Sequence, residues 1–189
     1  PPPVPIGDVP LQLLPSGPDY PVAGAERLTV ALIYAARQRV VITTPYFIPD
    51  EGLIEAMQTA VLRGVEVLLV VSLVQDQRLV GLAQRSFYAE LLRSGVRIFL
   101  YRGRLLHAKH LTVDDDIASI GSSNVDIRSF TLNAEANLIV YDPAVVATLC
   151  KIQRRYFTNS LELDIEQWRQ RPRYRKVEEN IARLVSPLL

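Results

Sequence analysis

Two periodicities alternate along the first hundred residues. Residues 25–37 set Leu28, Ala31, Leu32 and Ala35 at helical spacing, which predicts an amphipathic helix. Residues 39–44 are rich in β-branched side chains and stop at Pro45, which predicts a strand. Asp50 stands where a helix over 51–63 needs its N-cap, and Gly64 stands where that helix needs a stop. Residues 66–71 read Glu-Val-Leu-Leu-Val-Val, the near-continuous apolar run of a strand buried on both faces. The cycle then repeats: a helix over 78–94, Gly95, and a strand over 96–101. Helix, glycine, apolar strand is the punctuation of βαβ units.

After Tyr101 the pattern changes. Short strand signals follow at 108–113, 117–121 and 134–141, with Asp115 and Asp116 suited to the turn between the first two. Helical spacing returns from 143 to about 160, again at 165–169, and from about 172 to 184. Near the start, residues 11–14 read as a strand ended by Pro15, Gly17 and Pro18. Together these elements predict an α/β fold, a three-layer α/β/α sandwich whose sheet is mixed because of the hairpin. Residues 1–10 are proline-rich and read as a linker, 11–163 as the domain, and 164–189 as a basic, amphipathic, helical tail. The tail sets Arg169, Arg171, Arg173, Arg175 and Lys176 before Val177, Ile181, Leu184, Val185, Leu188 and Leu189. Two readings stand: the tail lies on an anionic bilayer, or it packs on the domain with its charged face in water.

Composition narrows the chemistry. A chain of 189 residues is long enough for one sizeable core. The net charge of +1 gives no overall attraction to nucleic acid, so none is expected as a partner. The single cysteine, Cys150, excludes a disulfide framework and a thiolate zinc site, and two histidines leave little for an imidazole metal site. No cofactor or metal is expected. No apolar run approaches the roughly 20 residues of a membrane span. The chain opens on Pro1-Pro2-Pro3 and not on Met, which is expected of a piece of a longer protein.

Chemistry concentrates in residues 107–124: His107-Ala108-Lys109, Asp114, then Gly121-Ser122-Ser123-Asn124. An imidazole, a cation, a carboxylate and small polar groups in this order suit attack on a phosphodiester without a metal. On a strand, His107 and Lys109 face one way with Cα atoms about 6–7 Å apart, wide enough for a phosphate between their side chains. His110, at odd parity to His107, should point away. Asp114 should tie down backbone and not touch phosphate. Gly121 permits close approach, while Ser122 and Asn124 can donate to phosphate oxygens beside Lys109. A neutral histidine needs an acceptor to fix its tautomer, and Glu135, at the mouth of a predicted strand, is the candidate for His107.

The spacing H-x-K-x4-D-x6-G-S-x-N resembles the HKD signature of the phospholipase D superfamily. Residues 43–51, 85–101, 106–137 and the closing segments from Glu166 and Glu179 extend the likeness over about 11–189. The whole stretch resembles the C-terminal half of a bacterial cardiolipin synthase. The resemblance implies a phospholipase D-like fold and phosphatidyl transfer through a phosphohistidine: two phosphatidylglycerols give cardiolipin and glycerol. It makes His107 one of two catalytic histidines, Lys109 and Asn124 phosphate ligands, and Glu135 the residue that orients His107. Tyr46 and Phe47 would end a strand near the pocket. The resemblance further implies a second HKD half, from the same longer chain or from a homodimer, and a bacterial inner membrane reached through the parent protein. This fragment alone is then expected to be inactive. Two alternatives stand beside this: a single-motif phosphodiesterase or nuclease acting as a homodimer, and a catalytically silent half domain.

Overall fold

The strand expected at 39–44 is buried on both faces. In a computed structural model, which describes residues 7–20 and 24–185, it forms β2 (Arg39–Thr43). Val40 and Ile42 point into one core and Val41 into another. β4 (Glu66–Ser72) and β5 (Arg97–Tyr101) continue parallel to it. On its other edge β2 pairs antiparallel with β6 (His110–Val113), which turns into β7 (Ile117–Gly121). β9 (Glu135–Val140), β1 (Leu11–Ser16) and β10 (Ser160–Glu162) complete an eight-stranded sheet ordered β1-β9-β7-β6-β2-β4-β5-β10. A separate two-stranded parallel ladder joins β3 (Phe47–Ile48) to β8 (Val125–Asp126).

Helices cover both faces, so the predicted mixed-sheet α/β class and its three layers hold. On one face, α1 (Gly24–Ala35), α2 (Glu51–Leu62) and α3 (Arg78–Ser94) pack on Val67, Leu69, Ile98 and Leu111. On the other, α5 (Pro143–Thr158) sets Tyr156 and Phe157 against Leu68, Val70 and Phe99, and Val146 and Leu149 against Ala118 and Val140. Asp50 caps α2 by accepting from the Leu53 N–H at 2.9 Å, and Gly95 ends α3 at φ 97°, a conformation that favours glycine.

Short elements escape the sequence pattern. β3 and β8 are two residues each, below the length at which alternation shows. α4 (Ile127–Thr131), a five-residue helix capped by Asp126, lies where no helix was expected. The helix expected to reach 160 ends at Thr158, and Ser160–Glu162 instead pairs with β5. α6 (Ile165–Arg169) and α7 (Arg173–Val185) follow. Trp168 of α6 and Ala182 of α7 are buried in the core under α3, so the segment set apart as a tail packs on the domain through both helices. Part of the expected linker, residues 1–6, and the end of the tail, 186–189, lie outside the described residues.

The far end of β6 is locked by Asp114. Its carboxylate accepts from the backbone N–H groups of Arg37 (3.0 Å), Gln38 (2.8 Å) and Arg39 (2.8 Å), and its own N–H donates to the Arg39 carbonyl at 2.7 Å. Partial burial pushes this carboxyl up, but the three N–H donors outweigh it and hold the group below the usual carboxylate range. Asp114 also sits at φ 51°, a left-handed conformation that Asp and Asn tolerate better than other side chains. The expected backbone-anchoring position of Asp114 is therefore what the structure has. Asp114→Ala should destabilise the fold by about 1–3 kcal/mol, and Asp114→Asn, which keeps one acceptor and the φ tolerance, by about half of that. The Asp114 contribution is present above the ordinary carboxyl pKa and is lost as pH falls through its lowered value. Urea midpoints at pH 7 for the three proteins check the ordering.

Candidate active site

The antiparallel pairing of β6 with β2 fixes where the motif emerges. Thr43 pairs with His110, so the residues just before His110 lie beyond the C-terminal end of β2, where α/β sheets place their sites. Lys109 and His107 belong to the loop that enters β6, not to the strand itself, which corrects the expected single strand. That loop is anchored one residue earlier: Leu106 is buried, and its N–H is held by the Ser72 hydroxyl at 3.2 Å.

Register builds the rest of the site. Gly121 pairs with Asn137, and the Gly121 N–H donates to the Lys109 carbonyl at 3.2 Å, so Lys109 at the entry to β6, Gly121 of β7 and Asn137 of β9 form one row. Asn137 leans over Gly121: a Cβ on Gly121 would strike the Asn137 amide oxygen and the Ala136 carbonyl and come within 2.7 Å of the Asn137 Cα. This is the close approach that the glycine was expected to allow. His107 and Ser123 lie beyond the paired residues of β6 and β7, and Glu135 opens β9, where it pairs with Ser16 of β1. The Asn137 amide donates to the Ser123 hydroxyl at 2.7 Å. A cavity of about 40 Å³, too small for a phosphodiester, underlies this row and is lined in part by Thr43, Lys109, Ser123, Asn124 and Asn137. The Asn124 amide oxygen and the Thr43 hydroxyl oxygen are buried there without a hydrogen-bond partner among the described residues.

Three expectations need correction. The side chains of His107 and Lys109 do converge, but no phosphate-wide gap separates them: the Lys109 Nζ lies 3.1 Å from both His107 ring nitrogens and donates to the His107 carbonyl at 3.2 Å. An ammonium equidistant from both nitrogens is aimed along neither lone pair, so it caps neither. Second, the polar contacts of His107 run to Lys109, and among the described residues no hydrogen bond joins it to Glu135, whose charge acts on Lys109 instead. Third, Ser122 is exposed on the other face, where its hydroxyl accepts from the Ala136 N–H at 3.1 Å. Strand parity turns Ser123, which the motif leaves unassigned, toward the cavity.

Electrostatics at Lys109 are a balance. Burial pulls the ammonium below its usual range, while the carboxylates of Glu135 and Asp126 oppose that. Asp126 is buried, accepts from the Ser129 N–H at 2.6 Å, and went unrecognised because its helix is so short. Nearby, Tyr46 donates to the Asp76 carboxylate at 2.7 Å, and burial together with that carboxylate pushes the phenol above its usual range. Phe47 is core, against Phe87. Among the described residues, no three His, Cys, Asp or Glu side chains gather closely enough to hold a metal ion.

The model of the family described as "Cardiolipin synthase, PLD-like domain" matches residues 29–158. The chain belongs to this family of phospholipase D-like domains. Cardiolipin synthase A of Yersinia pseudotuberculosis and of Yersinia pestis is 38% identical over 179 residues, which is 95% of this chain and 37% of those relatives. The chain therefore spans little more than a third of their length. Among solved structures, the phosphatidylserine synthase of Haemophilus influenzae superposes with a TM-score of 0.75 at 19% identity, over 96% of this chain and 48% of that one. The phospholipase D family member Nuc of Salmonella typhimurium gives 0.68 at 19% identity, over 82% of this chain and 99% of its own. At such identities the two structures share the fold.

In this phospholipase D-like domain His110, at an unspecified position of the motif, is walled off. His110 is buried against α5, stacked on Tyr156 with ring centroids 6.0 Å apart, and its Nδ1 accepts from the Gln153 amide at 3.3 Å. It points away from His107, as parity predicts. Burial pushes its imidazole down to about 4 from an ordinary 6.5. The unfolded chain therefore takes up this proton first as pH falls. Stability present above pH 6.5 should drain away between about 6.5 and 4, by on the order of 3 kcal/mol in all. His110→Phe should flatten that part of the profile, as read from urea midpoints at pH 7 and 4.5.

Proposed function

We propose that the chain supplies half of the active site of a phosphatidyltransferase of the cardiolipin synthase type. The observation that carries the reading is the contact of His107 with Lys109 at the mouth of β6, beside Ser123, Asn124 and Asn137. A ring nitrogen of one histidine attacks the phosphorus of a phosphatidylglycerol. The bond from phosphorus to the glycerol oxygen breaks, and that oxygen takes a proton from a second histidine. The second histidine next deprotonates a hydroxyl of another phosphatidylglycerol. That oxygen attacks the phosphorus, the P–N bond breaks, and cardiolipin leaves. His107 takes one of these two parts. Lys109 neutralises charge on the pentacoordinate phosphorus, which requires it to move off His107 and onto a phosphate oxygen. Asn124 and Ser123 donate to the remaining oxygens. Glu135 and Asp126 oppose the loss of charge that burial favours at Lys109. Asp114 holds the strand and takes no part in the chemistry.

The second histidine comes from outside this chain. The chain's share of its Yersinia relatives and of the Haemophilus phosphatidylserine synthase leaves room for another copy of the fold in one longer protein. The parent then brings the site to the bacterial inner membrane. A second reading has its own support: the fold makes up 99% of the Nuc chain and 100% of the Helicobacter pylori NucT chain, so one copy can be a whole protein. Two such chains paired symmetrically would also bring two histidines together, for a lipid or a nucleic-acid phosphodiester.

In the parent protein, His107→Ala should abolish conversion of phosphatidylglycerol to cardiolipin. Lys109→Ala should lower the rate about 100- to 1000-fold, the usual loss for one donor that strengthens in the transition state. His110→Ala should keep most of the activity, because His110 faces α5. Assays on phosphatidylglycerol micelles, with single- and double-stranded DNA as parallel substrates, test this. Cleavage of DNA with phosphatidylglycerol left intact would replace the lipid reading with the nuclease.

A further inference from the structure

α7 is amphipathic in the inverted sense. Some of its polar side chains face the protein: Glu179 is buried and pairs with Arg171 at 2.7 Å and with Arg85 at 3.6 Å, and the Arg183 guanidinium lies 4.3 Å over the Phe87 ring of α3. Its apolar side faces out. Tyr174, Val177, Ile181 and Leu184, spaced to share one face of the helix, are 56–81% exposed. Of the two sequence readings of this segment, the structure has the helix packed on the domain, yet the side left outside carries a line of apolar residues.

The ridge does not end at α7. Ile181 and Val185 line a shallow apolar surface with Leu79 and Leu82 of α3. Next to it, a cleft of about 390 Å³ runs between α3 and α7 to the loop after β4. Arg78, Arg85, Arg171 and Arg175 line this cleft with Glu178 and Glu179. Exposed Leu73 and Val74 lie on that loop, and three residues beyond Leu73 the same loop carries Asp76, the partner of Tyr46 near the site. Residues 169–185 hold six cations against two acids in a protein whose net charge is only +1. Arg173 and Arg175 are exposed at the start of the ridge, and Glu178, also exposed, borders it.

We propose that the α3–α7 face is a docking surface for an anionic phospholipid bilayer, with the Tyr174–Leu184 ridge in the acyl boundary and the arginine-lined cleft receiving lipid phosphates. The charge favours this occupant. A cluster of cations beside an apolar ridge complements phosphate headgroups above acyl chains, whereas a second copy would set the same cations against one another. One convex helix also needs no shaped partner to sink into lipid. The loop from β4 then brings the bilayer surface near the mouth that holds Tyr46 and Lys109. The inference rests on the lipid-substrate reading, but it concerns a surface distinct from the catalytic motif.

The test is sedimentation of the 189-residue chain with vesicles of phosphatidylcholine alone or with one quarter phosphatidylglycerol. Wild type should pellet with the anionic vesicles and far less with the neutral ones, and 0.5 M salt should weaken binding. Ile181→Glu combined with Leu184→Glu should reduce anionic-vesicle binding at least tenfold with an unchanged melting temperature, since both side chains are exposed. Arg173→Ala with Arg175→Ala should remove the preference for phosphatidylglycerol while leaving residual binding through the ridge. Unchanged binding by the double-glutamate variant would overturn the proposal. So would a vesicle-independent dimer that the same variant dissociates, which would give the ridge to a second copy. Vesicle binding needs no turnover, so failure here and failure of the phosphatidyl-transfer reading are separable. A parent that makes cardiolipin while the glutamate variant binds vesicles normally refutes only the surface. A chain that docks through α7 without a parent that makes cardiolipin refutes only the chemistry.

Discussion

Val113 pairs with Val40 and His110 pairs with Thr43, so β6 runs antiparallel down the whole of β2. At one end of that pair Asp114 gathers three consecutive backbone N–H groups from the turn before β2. At the other end His107 and Lys109 emerge. A one-residue slip would exchange Leu111 with Thr112 between the two cores and swing Lys109 to the α5 side. Both faces of β2 are packed, so no slip is available without burying Thr112 and His110 among α1 and α2. The register that fills the core is therefore the register that aims the motif, and the carboxylate of the motif acts on position through the backbone.

The second consequence of that register is the row of Lys109, Gly121 and Asn137 at the entry to β6 and along β7 and β9. Gly121 leaves the space into which Asn137 leans, and Asn137 in turn holds Ser123. Lys109 is left over the cavity with partial burial pulling against two carboxylates, one from β9 and one from the cap of α4. In the proposed reading, this partial loss of water strengthens the attraction of Lys109 to a phosphate oxygen. His107, by contrast, is exposed, and its polar contacts among the described residues run to Lys109.

Most of the larger elements were legible in the sequence, because each carried its own signal: a glycine stop after α2 and α3, an aspartate cap before α2, unbroken apolar runs at β4. Parity predicted that His110 faces away, and residue type predicted that Asp114 binds backbone. What failed were inferences that needed distances across strands. Glu135 suits His107 by sequence because both belong near one mouth, but the polar contacts of His107 run to Lys109. Ser122 was taken from the motif although parity with exposed Ile120 puts it outside and Ser123 inside. Asp126 stayed invisible because a five-residue helix leaves no periodicity. The orientation of α7 was beyond a sequence reading as well, because it depends on Arg171 and Arg85 being in place to receive Glu179.

The central claim is that one motif on one copy of this fold makes half of a site. The direct test is cardiolipin formation by the purified 189-residue chain, on phosphatidylglycerol micelles, with its mass in solution measured at the assay concentration. The account predicts that the chain, while monomeric, forms no cardiolipin above the level of its His107→Ala variant. Sustained synthesis by a chain that stays monomeric would contradict it, because then His107 and the groups around it would be a complete site.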